Sequence, residues 1–422
     1  MPDKAIIVGA NILDSKSFSY EMEELKNLCI ACEIEVVESV TQNLRSIHPK
    51  TYVGLGKVEE IKMIANSLDA DVVVFNDELT PSQINSLEEL LEITIYDRTY
   101  VILEIFKRRA STKVAMLQVD IASLKYMLPR LVGLRQGLSR QRGAGGGGAH
   151  GRGQGETKLE LDRRNINDRI AYLNNELKEL TKDRFVQRQK RLNNAIPIVS
   201  LVGYTNSGKS STLNALLGKS SAVKKEVFQK DMLFATLETS SRLIKLENNH
   251  EFILTDTVGF ISKLPHQLVE AFKSTLEEIT EADLILHIVD ASNPNYEDQI
   301  NTTNKVLEEI GVKNIPVIYV FNKIDLIDHY FYIPPQYENA LRISATAGTN
   351  LNGLISSVEE ELYKHETTVT CEIPYSESKL VAQLKNEAKI ITIEYLDDFV
   401  LLKAQLSITQ RAYVEKYIKK EE

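Results

Sequence analysis

"GYTNSGKS", residues 203–210, carries the strongest fold signal in the chain. It fits G-x-x-x-x-G-K-[ST], follows the apolar run "IVSLV" and opens the helix-forming run "SSTLNALLG". A strand that feeds a helix through such a turn is a phosphate-binding loop in an α/β domain. Its glycines let backbone N–H groups turn inward around α- and β-phosphates, and the helix N-terminus adds a favourable dipole. Chance alone yields the pattern in roughly one chain of this length in fifty, so its surroundings have to support it.

They do. "FILTDTVGF" (252–260) reads as a strand ending at Asp256, which can hold Mg²⁺, with Gly259 offering its N–H to a γ-phosphate. Lys209 reaches toward the β- and γ-phosphates, and Ser210 is the direct Mg²⁺ ligand expected of such a loop. Thr236 in "DMLFATLETSSR" stands between the two motifs, where a switch threonine closes over the metal. The expected catalytic set is therefore Lys209, Thr236, Asp256 and Gly259, with Ser210, Thr236 and Asp256 on the metal. Phosphate contacts are expected from Gly203, Tyr204, Thr205, Asn206, Ser207, Gly208, Lys209, Ser210 and Ser211.

The base follows from "NKID" (322–325). Asp325 can accept from both N1–H and the 2-amino group of guanine, whereas adenine presents an acceptor and no amine there. Asn322 bonds the ring from its other edge, Lys323 flanks it, and Ser344 and Ala345 in "ISATAG" supply a backbone donor to O6. A site built on such bonds rejects the analogue lacking them, so GTP is expected over ATP. Phe260, directly after Gly259, cannot orient an attacking water as a glutamine would. Slow intrinsic turnover is expected, raised by a partner or by a cation. Asn206 resembles the asparagine of potassium-activated GTPases, which brings K⁺ into view as a cofactor.

Outward from this domain, residues 1–97 alternate strand-like runs ("KAIIVGA", "IEVVESV", "DVVVFND", "ITIYD") with amphipathic helical stretches at 18–31, 55–68 and 81–91. That order predicts a small parallel α/β domain. Residues 98–192 read as a long antiparallel helical hairpin, one arm to about residue 132 and the other from the glycine-rich stretch to 192. The P-loop GTPase domain spans 196–365, and 366–422 reads as a small α+β domain. "GLGKVEE" (54–60) lacks phosphate-loop spacing; Gly54, Gly56 and Lys57 open a helix or meet a second anion.

The chain has 422 residues and a formal charge of −9. Residues 101–192 nevertheless carry twenty Lys and Arg against nine Asp and Glu, and such asymmetry points to nucleic acid. Within that segment "RQRGAGGGGAHGRGQGE" (140–156) holds eight glycines and three arginines, far more chain than a helical turn needs. No apolar run reaches eighteen residues and no signal-peptide pattern opens the chain, so a cytoplasmic protein without membrane spans is expected. Cys29, Cys32 and Cys371 cannot build a disulfide framework and read as core thiols.

The chain resembles the HflX family of ribosome-associated GTPases. The resemblance is carried by "GLGKVEEI" (54–61), "LTPSQINSLE" (79–88), "YDRTYVILEIFKRRASTK" (96–113), "LQVDIASLKYMLPRL" (117–131), "RGQGETKLELDRR" (152–164) and the GTP motifs. It implies binding to the large ribosomal subunit, ribosome-stimulated GTP hydrolysis, and splitting of stalled or idle ribosomes under stress, by a protein expected to be monomeric. It also implies that the hairpin loop reaches ribosomal RNA near the peptidyl-transferase region, through Arg140, Arg142, Gly145, Gly146, Gly147 and Arg152. The resemblance further implies ATP as a second nucleotide at the N-terminal domain. Val114 and Met116 stand where similar sequences carry Glu and Lys, and Gln154 replaces a common proline. Such departures would suit a loop acting at a drug-occupied ribosome, as in resistance-conferring members; the residues leave this open. A GTP-gated RNA-binding or ribosome-assembly module without splitting activity is the alternative, and an RNA-remodelling enzyme resting on "GLGKVEE" is a third.

Overall fold

Four runs of Val- and Ile-rich sequence form the first sheet: β1 (Lys4–Ile12), β2 (Glu35–Leu44), β3 (Val72–Phe75) and β4 (Thr94–Asp97), all parallel in the order β2-β1-β3-β4. This computed structural model describes residues 3–13, 15, 17–131, 151–192, 196–220, 240–265, 268, 276–328 and 330–419. Helices α1 (Phe18–Ala31), α2 (Leu55–Leu68) and α3 (Pro81–Leu91) occupy the three expected stretches. Thr80 and Gln83 close a reciprocal capping box and Pro81 takes the first turn, which fixes where α3 begins. Both faces of the sheet are covered, as parallel sheets require. Ile6, Val8, Val73 and Phe75 face one apolar cluster, while Ala5, Ile7, Val72 and Val74 face another.

Residues 98–132 are not one helical arm. They form α4 (Arg98–Arg109) and α5 (Lys113–Met127), with Ala110 extended between them. The Thr112 side chain accepts from the Ala115 N–H and starts a new helix, while Lys107, Arg108 and Arg109 end the previous one where the dipole favours cations. Apolar spacing continues across the break, which is why periodicity alone missed it. Val101, Ile102, Ile105 and Phe106 of α4 pack into the same cluster as Leu25 and Leu28 of α1, so α4 covers the first sheet.

Helix α5 makes the hairpin with α6 (Gly151–Leu192). Leu117 and Ile121 meet Leu173, flanked by Ile170 and Leu177, and Lys113 pairs with Glu176 at 2.5 Å. Helical backbone starts at Gly151, so the last six residues of the glycine-rich stretch belong to α6, and 132–150 lie outside the described residues. Asp97 ties the hairpin base to the sheet. It caps α4 through the Tyr100 N–H and accepts from Tyr126 Oη at 2.8 Å and Arg130 at 3.0 Å.

The second sheet runs β10-β9-β8-β5-β7-β6. Its strands are β5 (Ile198–Gly203), β6 (Ser240–Lys245), β7 (Glu251–Asp256), β8 (Leu284–Asp290), β9 (Val317–Asn322) and β10 (Ala340–Arg342). Only β6 is antiparallel to its neighbour. Helices α7 (Lys209–Leu217), α8 (Tyr296–Glu309) and α9 (Leu351–Leu362) flank it. One apolar cluster runs from Leu28 and Val101 to Val202, Tyr204, Phe260 and Ile261, joining the two sheets in a common core.

At the C-terminus, β11 (Thr367–Pro374), α10 (Ser378–Glu387), β12 (Lys389–Tyr395) and β13 (Phe399–Leu406) form an antiparallel sheet, β11-β13-β12, with its helix. A short helix, α11 (Ile408–Val414), follows behind a Ser407/Gln410 capping box. Cys371 lies in this core, and Cys29 and Cys32 lie in the α1–α4 core. All three are free, and burial pushes the Cys29 and Cys32 thiols up to about 12, so they are inert packing groups.

Candidate nucleotide site

Parallel α/β sheets bind ligands outside the carboxyl ends of their strands, where the connections diverge. Four neighbouring strands end here, three of them on residues singled out by sequence: β5 on Gly203, β7 on Asp256 and β9 on Asn322, with β8 ending on Asp290. Strand β5 runs between β7 and β8, so the loop after Gly203 opens at that divergence.

The loop geometry requires its glycines. Gly203 adopts φ +147°, and a Cβ there would stand 2.2 Å from the Ile288 carbonyl oxygen. Gly208 has φ +95°, and its Cβ would strike Asn322 Nδ2 at 2.2 Å. No other residue fits either place without shifting backbone or base-side machinery. Asn206 also takes positive φ, at +60°. Gly208 then caps α7, whose first residues are Lys209, Ser210 and Ser211.

Lys209 is folded back into this loop, donating to the Gly203 carbonyl at 3.1 Å and the Tyr204 carbonyl at 2.8 Å. Burial pulls its ammonium down to about 8, against the opposing charge of Asp256. Ser210 Oγ donates to Asp256 Oδ2 at 2.6 Å. Asp256 is fully buried, and its Oδ1 has no hydrogen-bond partner among the described residues. Burial raises its carboxyl, while the Ser210 bond and Lys209 act the other way. A hydroxyl beside an under-satisfied carboxylate is an oxygen pair that suits Mg²⁺, and the helix start next to them suits an anion.

Gly259 is pressed against the loop: a Cβ would stand 2.8 Å from Thr205 Cα and 3.0 Å from Lys209 Nζ. The Thr205 N–H donates to the Phe260 carbonyl at 2.7 Å, and the Phe260 N–H to the Gly203 carbonyl at 3.2 Å. The phosphate loop and the "DTVGF" segment are thus stitched together by backbone. Phe260 turns into the core, 1% exposed, and leaves no polar side chain at its position.

On the base side, Asn322 Nδ2 donates to the Ser207 carbonyl at 3.0 Å and its Oδ1 accepts from the Ala345 N–H at 3.0 Å. One amide therefore fixes the phosphate loop and the "ISATAG" turn relative to each other. Ser344 Oγ accepts from the Ala347 N–H and holds that turn. Asp325 is exposed in the short helix after β9. Lys323, at φ +65°, pairs with Asp290 Oδ2 at 2.8 Å; Asp290 was not among the sequence candidates.

Sequence candidates from Gly203 to Ser211, with Asp256, Gly259, Asn322, Lys323, Asp325, Ser344 and Ala345, therefore gather at one sheet edge. Thr236, Arg140, Arg142, Gly145, Gly146 and Gly147 lie outside the described residues, and Arg152 is placed only as helix backbone in α6. At "GLGKVEE", Gly54 caps α2, its N–H donates to Gln42 Oε1 at 2.9 Å, and Lys57 pairs with Glu60 at 2.7 Å, an arrangement that serves helix entry. Val114 is buried in α5 and Met116 is exposed. Sequence reading missed Glu24, Arg98 and Ser262, which touch Tyr204 or each other. The available signal was an acidic side chain on the apolar stripe of α1, since Glu24, Leu28 and Ala31 share one helical face and all are buried.

Among the described residues, no helix is long and apolar enough to cross a membrane. Three family models match in succession: a GTP-binding GTPase N-terminal region at 19–107, a GTP-binding GTPase middle region at 109–191, and a 50S ribosome-binding GTPase at 198–323. The GTPase HflX of Caldanaerobacter subterraneus subsp. tengcongensis is 44% identical over 416 residues, covering 99% of this chain and 94% of its own. The GTPase HflX of Lacrimispora saccharolytica is 41% identical, covering 95% and 93%. Among solved structures, a GTP-binding protein from the archaeon Sulfolobus solfataricus in complex with GDP is 25% identical. It covers 86% of this chain and 99% of its own, with a TM-score of 0.44.

Proposed function

Since the chain belongs to the HflX family of GTPases, we propose that it acts on the large ribosomal subunit as a GTP-hydrolysing factor that splits or rescues stalled and idle ribosomes. The observation that supports this reading best is the union of one guanine-nucleotide site with one strongly basic hairpin. Helix α6 has 42 residues, roughly 60 Å of rod, and it continues directly from the glycine-rich stretch. Arg140, Arg142 and Arg152 then meet RNA phosphates or stack on bases, while Gly145, Gly146 and Gly147 allow close backbone approach.

In the nucleotide site, the backbone of Gly203–Ser211 cradles the phosphates, and Lys209 leaves its two carbonyl acceptors for the β- and γ-phosphate oxygens. Mg²⁺, when bound, neutralises charge between those phosphates; Ser210, Asp256 and Thr236 are the residues that would hold it. Gly259 directs its N–H at the γ-phosphate, and Asn322, Asp325, Ser344 and Ala345 read guanine, with Lys323 held beside them by Asp290. Hydrolysis is slow in the isolated protein because Phe260 offers no group to align water, and the ribosome supplies or reorders what is missing. Asn206 recruits K⁺ as an auxiliary cation. The protein works as a monomer in the cytoplasm.

The test is direct. Intact ribosomes mixed with purified protein and GTP are run on a density gradient at low and raised salt. Separated subunits, with GTP required and yield falling as salt rises, support the reading. Binding to the large subunit without separation replaces it with a GTP-gated assembly module, which the buried Phe260 would also suit.

A further inference from the structure

The contact between the first sheet and the nucleotide site contains a buried charged knot that neither the phosphate motif nor the hairpin explains. Arg98, at the start of α4, pairs with Glu24 of α1, their side chains 1% and 3% exposed. Arg98 also donates to Asn76 Oδ1 at 3.0 Å and to Ser262 Oγ at 3.0 Å. Glu24 accepts from Tyr204 Oη through one oxygen and from Ser262 Oγ through the other. Tyr204 Oη accepts in turn from the Ser262 N–H at 2.6 Å. Burial, with the charge of Glu24, keeps the Tyr204 phenol protonated so that it remains the donor.

A buried ion pair is weak evidence of stabilisation, because apolar packing of the same volume serves as well. Its direction is the informative feature. Every bond that leaves the Glu24–Arg98 pair toward the second sheet ends on one of two segments: the phosphate loop, at Tyr204, or the segment three residues past Gly259, at Ser262. At the rim, Lys263 stands 2.6 Å from Glu21 and 2.6 Å from Asp77, both on the first domain. Gly259 sits between the two anchored points and is packed against Thr205 and Lys209. The spacing between Lys209 Nζ and the Gly259 N–H, where a γ-phosphate has to fit, is therefore fixed by residues 100 or more positions away in sequence.

We propose that Glu24 and Arg98 are positioning residues of the GTPase site, and that docking of the first domain through Tyr204 and Ser262 sets the preference for GTP over GDP. GDP uses the phosphate loop and the base contacts, which the knot touches only through Tyr204. GTP needs in addition the "DTVGF" segment at its docked distance. By reciprocity, a γ-phosphate tightens the interdomain contact by the same factor.

The experiment uses the full-length protein, fluorescent GDP and a fluorescent non-hydrolysable GTP analogue, with thermal unfolding recorded alongside. Glu24→Gln keeps the shape and removes the charge; Lys263→Ala alters only the half-exposed rim, so folding is not at stake. Glu24→Gln is expected to lower affinity for the GTP analogue about tenfold, in the usual range of coupling between sites, with GDP affinity kept within about twofold. Lys263→Ala should shift the same ratio in the same direction by a smaller factor. Tyr204→Phe combined with Glu24→Gln should lose less than the product of the single losses, as members of one network do. Equal losses for both nucleotides, or an unchanged ratio in both Glu24→Gln and Lys263→Ala, would overturn the proposal. Should Glu24→Gln fail to fold, Lys263→Ala and Tyr204→Phe decide it by the same ratio.

Discussion

Replacing Gly259 by alanine probes the part of the site proposed to meet the γ-phosphate. The added methyl would lie 2.8 Å from Thr205 Cα and 3.0 Å from Lys209 Nζ, where ordinary Cβ contacts begin at 3.4 Å. The lysine end can swing away. Thr205 Cα is backbone, tied to the same segment by its own N–H bond to the Phe260 carbonyl at 2.7 Å, so the strands of this stitch have to part by roughly half an ångström. A misplacement of about 1 Å costs on the order of 10²-fold in rate, and loss of a preorganised donor on developing charge costs about 10²–10³. A fall in single-turnover hydrolysis of about 30- to 100-fold is expected, with GDP affinity unchanged to about threefold. Both follow from quench-flow or filter assays of phosphate release and from fluorescence titration. Hydrolysis within about threefold of the native rate would show that Gly259 does not serve the γ-phosphate, and the geometry drawn around it would fail.

Because burial holds Lys209 down at about 8 without nucleotide, phosphate binding should restore its proton. At pH 8.5, GDP binding should take up more than half a proton, seen by calorimetry in two buffers of different ionisation enthalpy, and affinity should weaken from pH 8 upward; pH-independent affinity from 7 to 9 would contradict it. Asp325→Asn should weaken GTP by at least about 10²-fold and strengthen xanthosine triphosphate, since an amide donor replaces the acceptor of the 2-amino group; retained guanine selectivity removes Asp325 from the base site. Replacing K⁺ by Na⁺ should slow turnover about tenfold or more if Asn206 recruits the cation, and equal rates remove K⁺. Burial raises the Glu359 carboxyl, but the hydrogen bond and charge of Lys389, with His250, outweigh it and leave it lowered. Its stabilisation is therefore present above the ordinary glutamate range and lost as pH falls through its folded value. Glu359→Gln should melt a few degrees lower than native at pH 7, and the gap should close as pH falls below the ordinary glutamate range.

The gathering of the candidate nucleotide-site residues was legible because its determinants are local. Gly203, Gly208 and Lys209 lie within seven residues, and Asp256 and Asn322 each close an apolar run that reads as a strand. The parallel first sheet was legible for the same reason, its helices falling on the expected stretches. The break at Ala110 was hidden because packing on α1 and packing on α6 both demand apolar residues at helical spacing, and only the Thr112 cap separates them. The Glu24 knot was hidden because its bonds join residues 74, 180 and 238 positions apart. A charge on an apolar helical stripe announces a buried partner without saying which one; Arg98 read as ordinary within its segment, and Tyr204 read only as part of the phosphate loop.

Ribosome-activated hydrolysis is tested by GTP turnover with and without purified large ribosomal subunits, for the intact protein and for one lacking residues 143–151. Strong stimulation of the intact protein is expected, lost in the deletion, with basal turnover and GDP affinity unchanged. Turnover of the intact protein that does not respond to the large subunit would contradict ribosome-activated hydrolysis outright.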